Sequence, residues 1–281
     1  ADEVRVELNK RFKPLAGSSN GFVISGGLNV ISARTENPNL PEDNELILTL
    51  NAPISFTERY QISHPTYGKA DISLGNLVTS PEFEKKFTYT GNDLGPTYRA
   101  ESTTFRLWAP TATKVELLTY SSATSDVKSR YVMKSDVQGT WVYTLEGNHD
   151  SLIYNYNVEV YGATNEAVDP YVRSATANGK RGVVVNLNTT NPKKWEKTKP
   201  QFSGKATDAV IYELHVRDLS MDKSAPFPKA VRGKFLGLTY PNLKGSAGQP
   251  VGDNAIKDLG ITHLQLLPIY DFASVDELKP T

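Results

Sequence analysis

The sequence predicts a multidomain chain in which two β-rich domains are followed by the first strands of an incomplete (β/α)8 barrel. Three observations carry this. Up to residue 95, short apolar stretches are punctuated by Gly, Pro and Asn; between 96 and 200, several runs alternate apolar and polar residues; between 201 and 281, a strand, a helix, a Gly stop and a second strand follow one another.

Residues 1–95 read as an N-terminal β-rich accessory domain. Its apolar stretches at 21–24, 46–50 and 72–77 are too short for buried helices, and the Asn37-Pro38-Asn39-Leu40-Pro41 segment is a loop. Residues 96–200 read as an antiparallel sandwich of immunoglobulin-like type plus a linker. Phe105 and Leu107, Val115 and Leu117, Val142 to Leu145, and Tyr154 to Val160 mark successive strands with one apolar face. A Lys-rich, proline-bounded stretch at 191–200 forms the linker.

Residues 201–281 read as the start of a parallel barrel. The runs at 208–215 (DAVIYELH) and 261–269 (ITHLQLLPI) are rich in β-branched and aliphatic residues, and the helix before the second run stops at Gly260. This stretch is far shorter than the ~250 residues of a complete barrel. Two parallel strands alone leave edges and faces uncovered, so a second polypeptide carrying the remaining strands is expected to dock against them.

Composition narrows the ligand. Lys plus Arg and Asp plus Glu both number 31, giving a formal net charge of zero, so no electrostatic footprint points to nucleic acid or an anionic membrane. There are no cysteines, which removes disulfides, a thiol nucleophile and thiolate metal sites. No apolar run approaches the ~20 residues of a membrane span. His64, His149, His215 and His263 are scattered without metal-ligand spacing, and no glycine-rich phosphate cradle follows a strand.

A family resemblance rests on residues that can be quoted. AVIYELHVRDLS (209–220), GKFLGLT (233–239) and LGITHLQLLPIYDFASVDELKP (259–280) resemble the start of the catalytic domain of type I pullulanases, in glycoside hydrolase family 13. Upstream, TFRLWAPTATKVEL (104–117), GTWVYTL (139–145) and AVDPYVRSATANGKRGVVV (167–185) resemble the carbohydrate-binding module of family 48 that precedes that domain.

The resemblance implies an N-terminal part of a starch-debranching enzyme that cleaves α-1,6-glucosidic bonds in pullulan, amylopectin and limit dextrins by a retaining mechanism. Such cleavage needs two carboxyl groups ~5 Å apart. In the family these follow later barrel strands, so no catalytic residue is assigned here, and the chain alone is expected to be inactive. No organic cofactor or metal site is expected in this chain, with calcium left open for the complete enzyme. The partner is an α-glucan: starch, pullulan or maltooligosaccharides. The compartment is left open, leaning to extracellular. Isoamylase and glycogen-debranching or branching enzymes, and a stand-alone α-glucan-binding sandwich, are the alternatives.

Site candidates fall into two groups. His215 and Arg217 follow the first barrel strand, and Tyr270 and Asp271 follow the second, at the end where barrels build substrate contacts. Tyr60, Tyr67 and Trp141 are candidates for stacking on the apolar face of a sugar ring. Trp108, inside an apolar strand, reads as packing in the core or at a domain interface, and Trp195 as a linker anchor.

Overall fold

The computed structural model describes residues 2–197, 202–270 and 274–279. It divides into two compact units, Ala1–Thr190 and Asn191–Thr281.

The first unit opens with strands β1 (Glu3–Phe12), β2 (Val23–Ile24), β3 (Val30–Thr35), β4 (Asp43–Leu50), β5 (Gln61–His64) and β6 (Gly68–Asp71). They form two antiparallel sheets, in the orders β1-β4-β3 and β2-β5-β6. Alternation is cleanest in β4, where Leu46, Leu48 and Leu50 all turn inward. These leucines and Ile24, Ile54, Tyr60 and Ile62 make one core, against which Phe12 and Tyr67 pack. The apolar stretch at 72–77 is not a strand, because the hairpin ends at Asp71 and the chain then turns, with Leu77 and Val78 donating to the carbonyl of Leu74.

Helix α1 (Pro81–Phe87) follows from its own sequence. Ser80 caps it, its hydroxyl accepting the Phe83 N–H at 3.2 Å, Pro81 sits in the first turn where no N–H is needed, and Glu82 and Glu84 precede Lys85 and Lys86 in the order the helix dipole favours. Its buried face, Phe83 and Phe87, packs on Phe56 with ring centroids 5.4 and 5.3 Å away.

The module then builds from β7 (Gly95–Tyr98), β8 (Ser102–Trp108), β9 (Ala112–Tyr120), β10 (Val127–Val132), β11 (Lys134–Ser135), β12 (Thr140–Glu146), β13 (Ile153–Val160), β14 (Ala163–Ala167) and β15 (Gly182–Val183). One sheet runs β10-β9-β13-β14 with β15 also on β13, the other β11-β12-β8-β7. Between them lie Phe105, Leu107, Val115, Leu117, Leu145, Tyr154 and Tyr156, the inward positions that the alternation predicts. The β13–β14 hairpin turns on Tyr161 and Gly162, both with positive φ (52° and 76°), which is the type I′ requirement. The Tyr161 hydroxyl donates to the Phe56 carbonyl at 3.2 Å, tying the module to the first domain.

In the second unit, β16 (Ile211–Leu214) and β17 (His263–Leu266) pair in parallel, Ile211 opposite His263 and Leu214 opposite Leu266. Helices α2 (Asp218–Met221), α3 (Phe235–Leu238) and α4 (Asp253–Asp258) lie between them. The strand, helix, Gly260 stop and strand of the sequence reading are all present. The long connection has a small core of its own: Phe227 and Leu243 are buried, and Arg232 donates to the carbonyls of Ala225 and Phe227.

Candidate glycan-binding surfaces

Parallel pairing puts the residues that follow β16 and β17 at one end of the sheet. His215 and Arg217 lie in the turn into α2, where the His215 Nδ1 accepts the Arg217 backbone N–H at 3.2 Å. Tyr270, beyond β17, is 80 % exposed. Asp271 lies outside the described residues. The strand ends thus bring His215 and Arg217 together locally, and Tyr270 follows the neighbouring strand.

The three aromatic candidates of the first unit sit in different surroundings. Tyr60 is 3 % exposed, its hydroxyl donating to the Glu58 carboxylate at 3.0 Å, so it has no free face to offer a sugar; the core beneath β4 and β5 takes its ring instead. Tyr67 closes an aromatic cluster with Phe12 and His64, at centroid distances of 6.1 and 4.9 Å. Trp141 stands opposite Leu107 in the β12–β8 register, and directly opposed residues share a face. It therefore lies on the core side of its sheet, packed against the sandwich interior, with its indole N–H donating to the Ala109 carbonyl at 3.0 Å.

Trp108 is not in the core but packs where the module meets helix α1, its ring edge-on to Phe83 with centroids 6.3 Å apart. Leu107 points in, so Trp108 points out with Arg106, and it stays 37 % exposed while its indole N–H donates to the Phe87 carbonyl at 2.8 Å. Trp195, read as the linker anchor, is 58 % exposed on a short helical turn.

Two of the module's charge networks involve buried or half-buried aromatic side chains. Arg106 bridges Asp93 and Asp136 at 2.9 and 2.6 Å and lies over the Tyr89 ring. A hydrogen bond from the Tyr89 hydroxyl, then the Arg106 guanidinium, hold the Asp93 carboxyl below its usual range; Arg106 does the same for Asp136. Behind the opposite sheet, Tyr120 donates to Glu166 at 2.6 Å and carries the Arg181 guanidinium on its face, 3.5 Å from the centroid. Burial and the Glu166 carboxylate push the Tyr120 hydroxyl up to about 12. Burial pushes Glu166 up, but hydrogen bonds from Tyr120 and Asn155 outweigh it and leave the group lowered.

Two of the first unit's clefts border the first domain's sheets. One of about 750 Å³ runs along β1 and the 72–77 turn, lined by Arg5, Glu7, Asp71 and Ser73 among others. The second, about 570 Å³, lies between the first domain and the module and is lined by Glu58, Arg59, Asp71, Thr111 and Tyr161. Sequence reasoning missed both, because their walls come from segments far apart in the chain. Among the described residues there is no group of three or more His, Asp or Glu that could hold a metal ion, and no helix long and apolar enough to cross a membrane.

This two-sheet sandwich matches a known class. The profile of carbohydrate-binding module 48, the isoamylase N-terminal domain, covers residues 93–172. Beyond the module, the pullulanase of Bacillus subtilis (strain 168) is 32 % identical over 229 residues, 81 % of this chain and 30 % of that protein. The solved pullulanase from Bacillus acidopullulyticus superposes with a TM-score of 0.76 at 36 % identity, over 84 % of this chain and 28 % of that one. Pullulanase from Anoxybacillus sp. LM18-11, complexed with maltotetraose, gives 0.74 at 34 % identity, over 92 % of this chain and 36 % of that one. The chain corresponds to an N-terminal portion of the pullulanases, and spans 28 to 36 % of these three relatives. In these relatives the matched stretch belongs to one longer chain, so the expected second polypeptide finds no support.

Proposed function

We propose that the chain is the accessory and leading part of a starch-debranching glycoside hydrolase, which cleaves α-1,6-glucosidic bonds in pullulan, amylopectin and limit dextrins by a retaining mechanism. The observation that carries this is continuity: similarity to pullulanases extends well past the sandwich, covering 81 % of the chain in one relative and 99 % in one solved structure. A stand-alone binding module would share only the sandwich. Within this reading, the first unit binds α-glucan, while His215, Arg217 and Tyr270 contribute to the substrate-facing end of the barrel. The two carboxyl groups of the reaction come from elsewhere in the complete enzyme, and no organic cofactor is required.

The test is hydrolysis of pullulan by a polypeptide that joins this chain to a full barrel, compared with the chain by itself. Release of reducing ends by the first and not by the second is expected. Turnover by the purified 281-residue chain would contradict the assignment.

A further inference from the structure

A third cleft, of about 250 Å³, lies where α1 meets the outer face of β8. Phe83, Phe87, Tyr89, Trp108 and Tyr171 line it, with Glu84 and Thr88 on its wall. Trp108 and Tyr171 are 37 and 47 % exposed, so two large aromatics present open surface to one concave site.

The Trp108 ring and the Tyr171 backbone are each held by groups that leave the aromatic face uncovered. The Trp108 indole N–H is bound by the Phe87 carbonyl, and Phe83 meets the indole at 82° rather than stacking on it. The Tyr171 backbone N–H donates to the buried Asp169 carboxylate at 2.8 Å. Gly95 passes so close that an added Cβ would come within 2.8 Å of the Tyr171 carbonyl, and its φ of +87° suits only glycine.

The lining also defines the ligand. Its one charged lining side chain is the Glu84 carboxylate, and Lys86 and Arg106 lie on the Phe87 and Tyr89 rings, 5.1 and 5.6 Å from their centroids, so charge of both signs is balanced around it and suits a neutral ligand; Glu84, which accepts the Thr88 hydroxyl at 3.0 Å, keeps further acceptor positions for hydroxyl groups. Aromatic faces beside such groups suit a ring with an apolar CH face and a hydroxylated edge. The volume is just below the ~300 Å³ at which sites for drug-sized ligands begin.

We propose that this cleft is a subsite for one or two glucosyl residues of a neutral α-glucan, with Trp108 and Tyr171 as its stacking platforms. The inference rests on the α-glucan reading above and assigns it a place on the module.

Affinity electrophoresis of the whole chain through gels containing pullulan tests it. Wild type should be retarded, and Tyr171→Ala and Trp108→Ala should each weaken binding by about threefold to tenfold, the scale of one aromatic contact. Trp195→Ala, outside the cleft, should migrate as wild type. Tyr171 is half-exposed, so its truncation carries the test even where the Trp108 variant fails to fold. A retarded wild type with unchanged Tyr171→Ala would overturn the subsite and leave α-glucan binding standing. A wild type that pullulan does not retard would remove both.

Discussion

Asp169 is the residue on which the module's interior depends. It is 1 % exposed and accepts hydrogen bonds from the Tyr154 and Tyr156 hydroxyls, at 2.7 and 3.3 Å, and from the Tyr171 N–H. Burial raises its carboxyl above the ordinary range despite these donors, and burial with the adjacent carboxylate raises both phenols. Asp169→Ala would leave two buried hydroxyls without their acceptor, at a cost of about 2–4 kcal/mol in urea unfolding. The pH dependence of Asp169 has its own sign. Because the folded value is raised, its contribution is greatest below the unfolded value near ~4 and declines as pH rises through the folded one. Asp93 and Asp136 act the other way, since Tyr89 and Arg106 lower them. Their contribution is complete above ~4 and is lost as pH falls through their folded values. Arg106→Leu should therefore cost about 1–2 kcal/mol at neutral pH, a modest figure because both carboxylates are partly solvated. The gap to wild type should close as pH falls, and a gap that stays constant would refute this account of Arg106.

Register decides which aromatic side chains reach solvent. Trp141 opposes Leu107 and so shares the core face, whereas Trp108, one residue further along β8, faces outward. Trp141→Ala should cost about 2–4 kcal/mol in stability, as truncation of a partly buried tryptophan does, with α-glucan affinity unchanged. A selective loss of affinity would return Trp141 to the binding surface. The N-cap of α1 gives a smaller test of the same local logic: Ser80→Ala should cost about 1 kcal/mol by thermal unfolding. Much of this scale was legible in advance. Period-2 runs such as Phe105 and Leu107 or Tyr154 and Tyr156 name their own inward face. The buried ring of Tyr60 and the inward side of Trp141 were not legible, because a lone aromatic has no periodicity, and its side is set by the strand it pairs with. The strand β1 was hidden for a related reason: most of its ten residues are exposed, so it presents no sustained apolar run.

At the scale of the molecule, the sandwich was readable from its alternation, and the parallel pair from its succession of strand, helix, glycine and strand. The clefts were not readable, since Arg59 and Tyr161, or Phe83 and Tyr171, meet only after the sheets have assembled. Local pattern gives the architecture, and long-range packing gives the surfaces on which an α-glucan would lie. The most direct test of the central claim is co-sedimentation of the whole chain with insoluble starch, with soluble maltohexaose as competitor. The account predicts that the chain partitions into the pellet and that maltohexaose releases it. A chain that stays in the supernatant, or that pellets in a manner maltohexaose does not reverse, would contradict it.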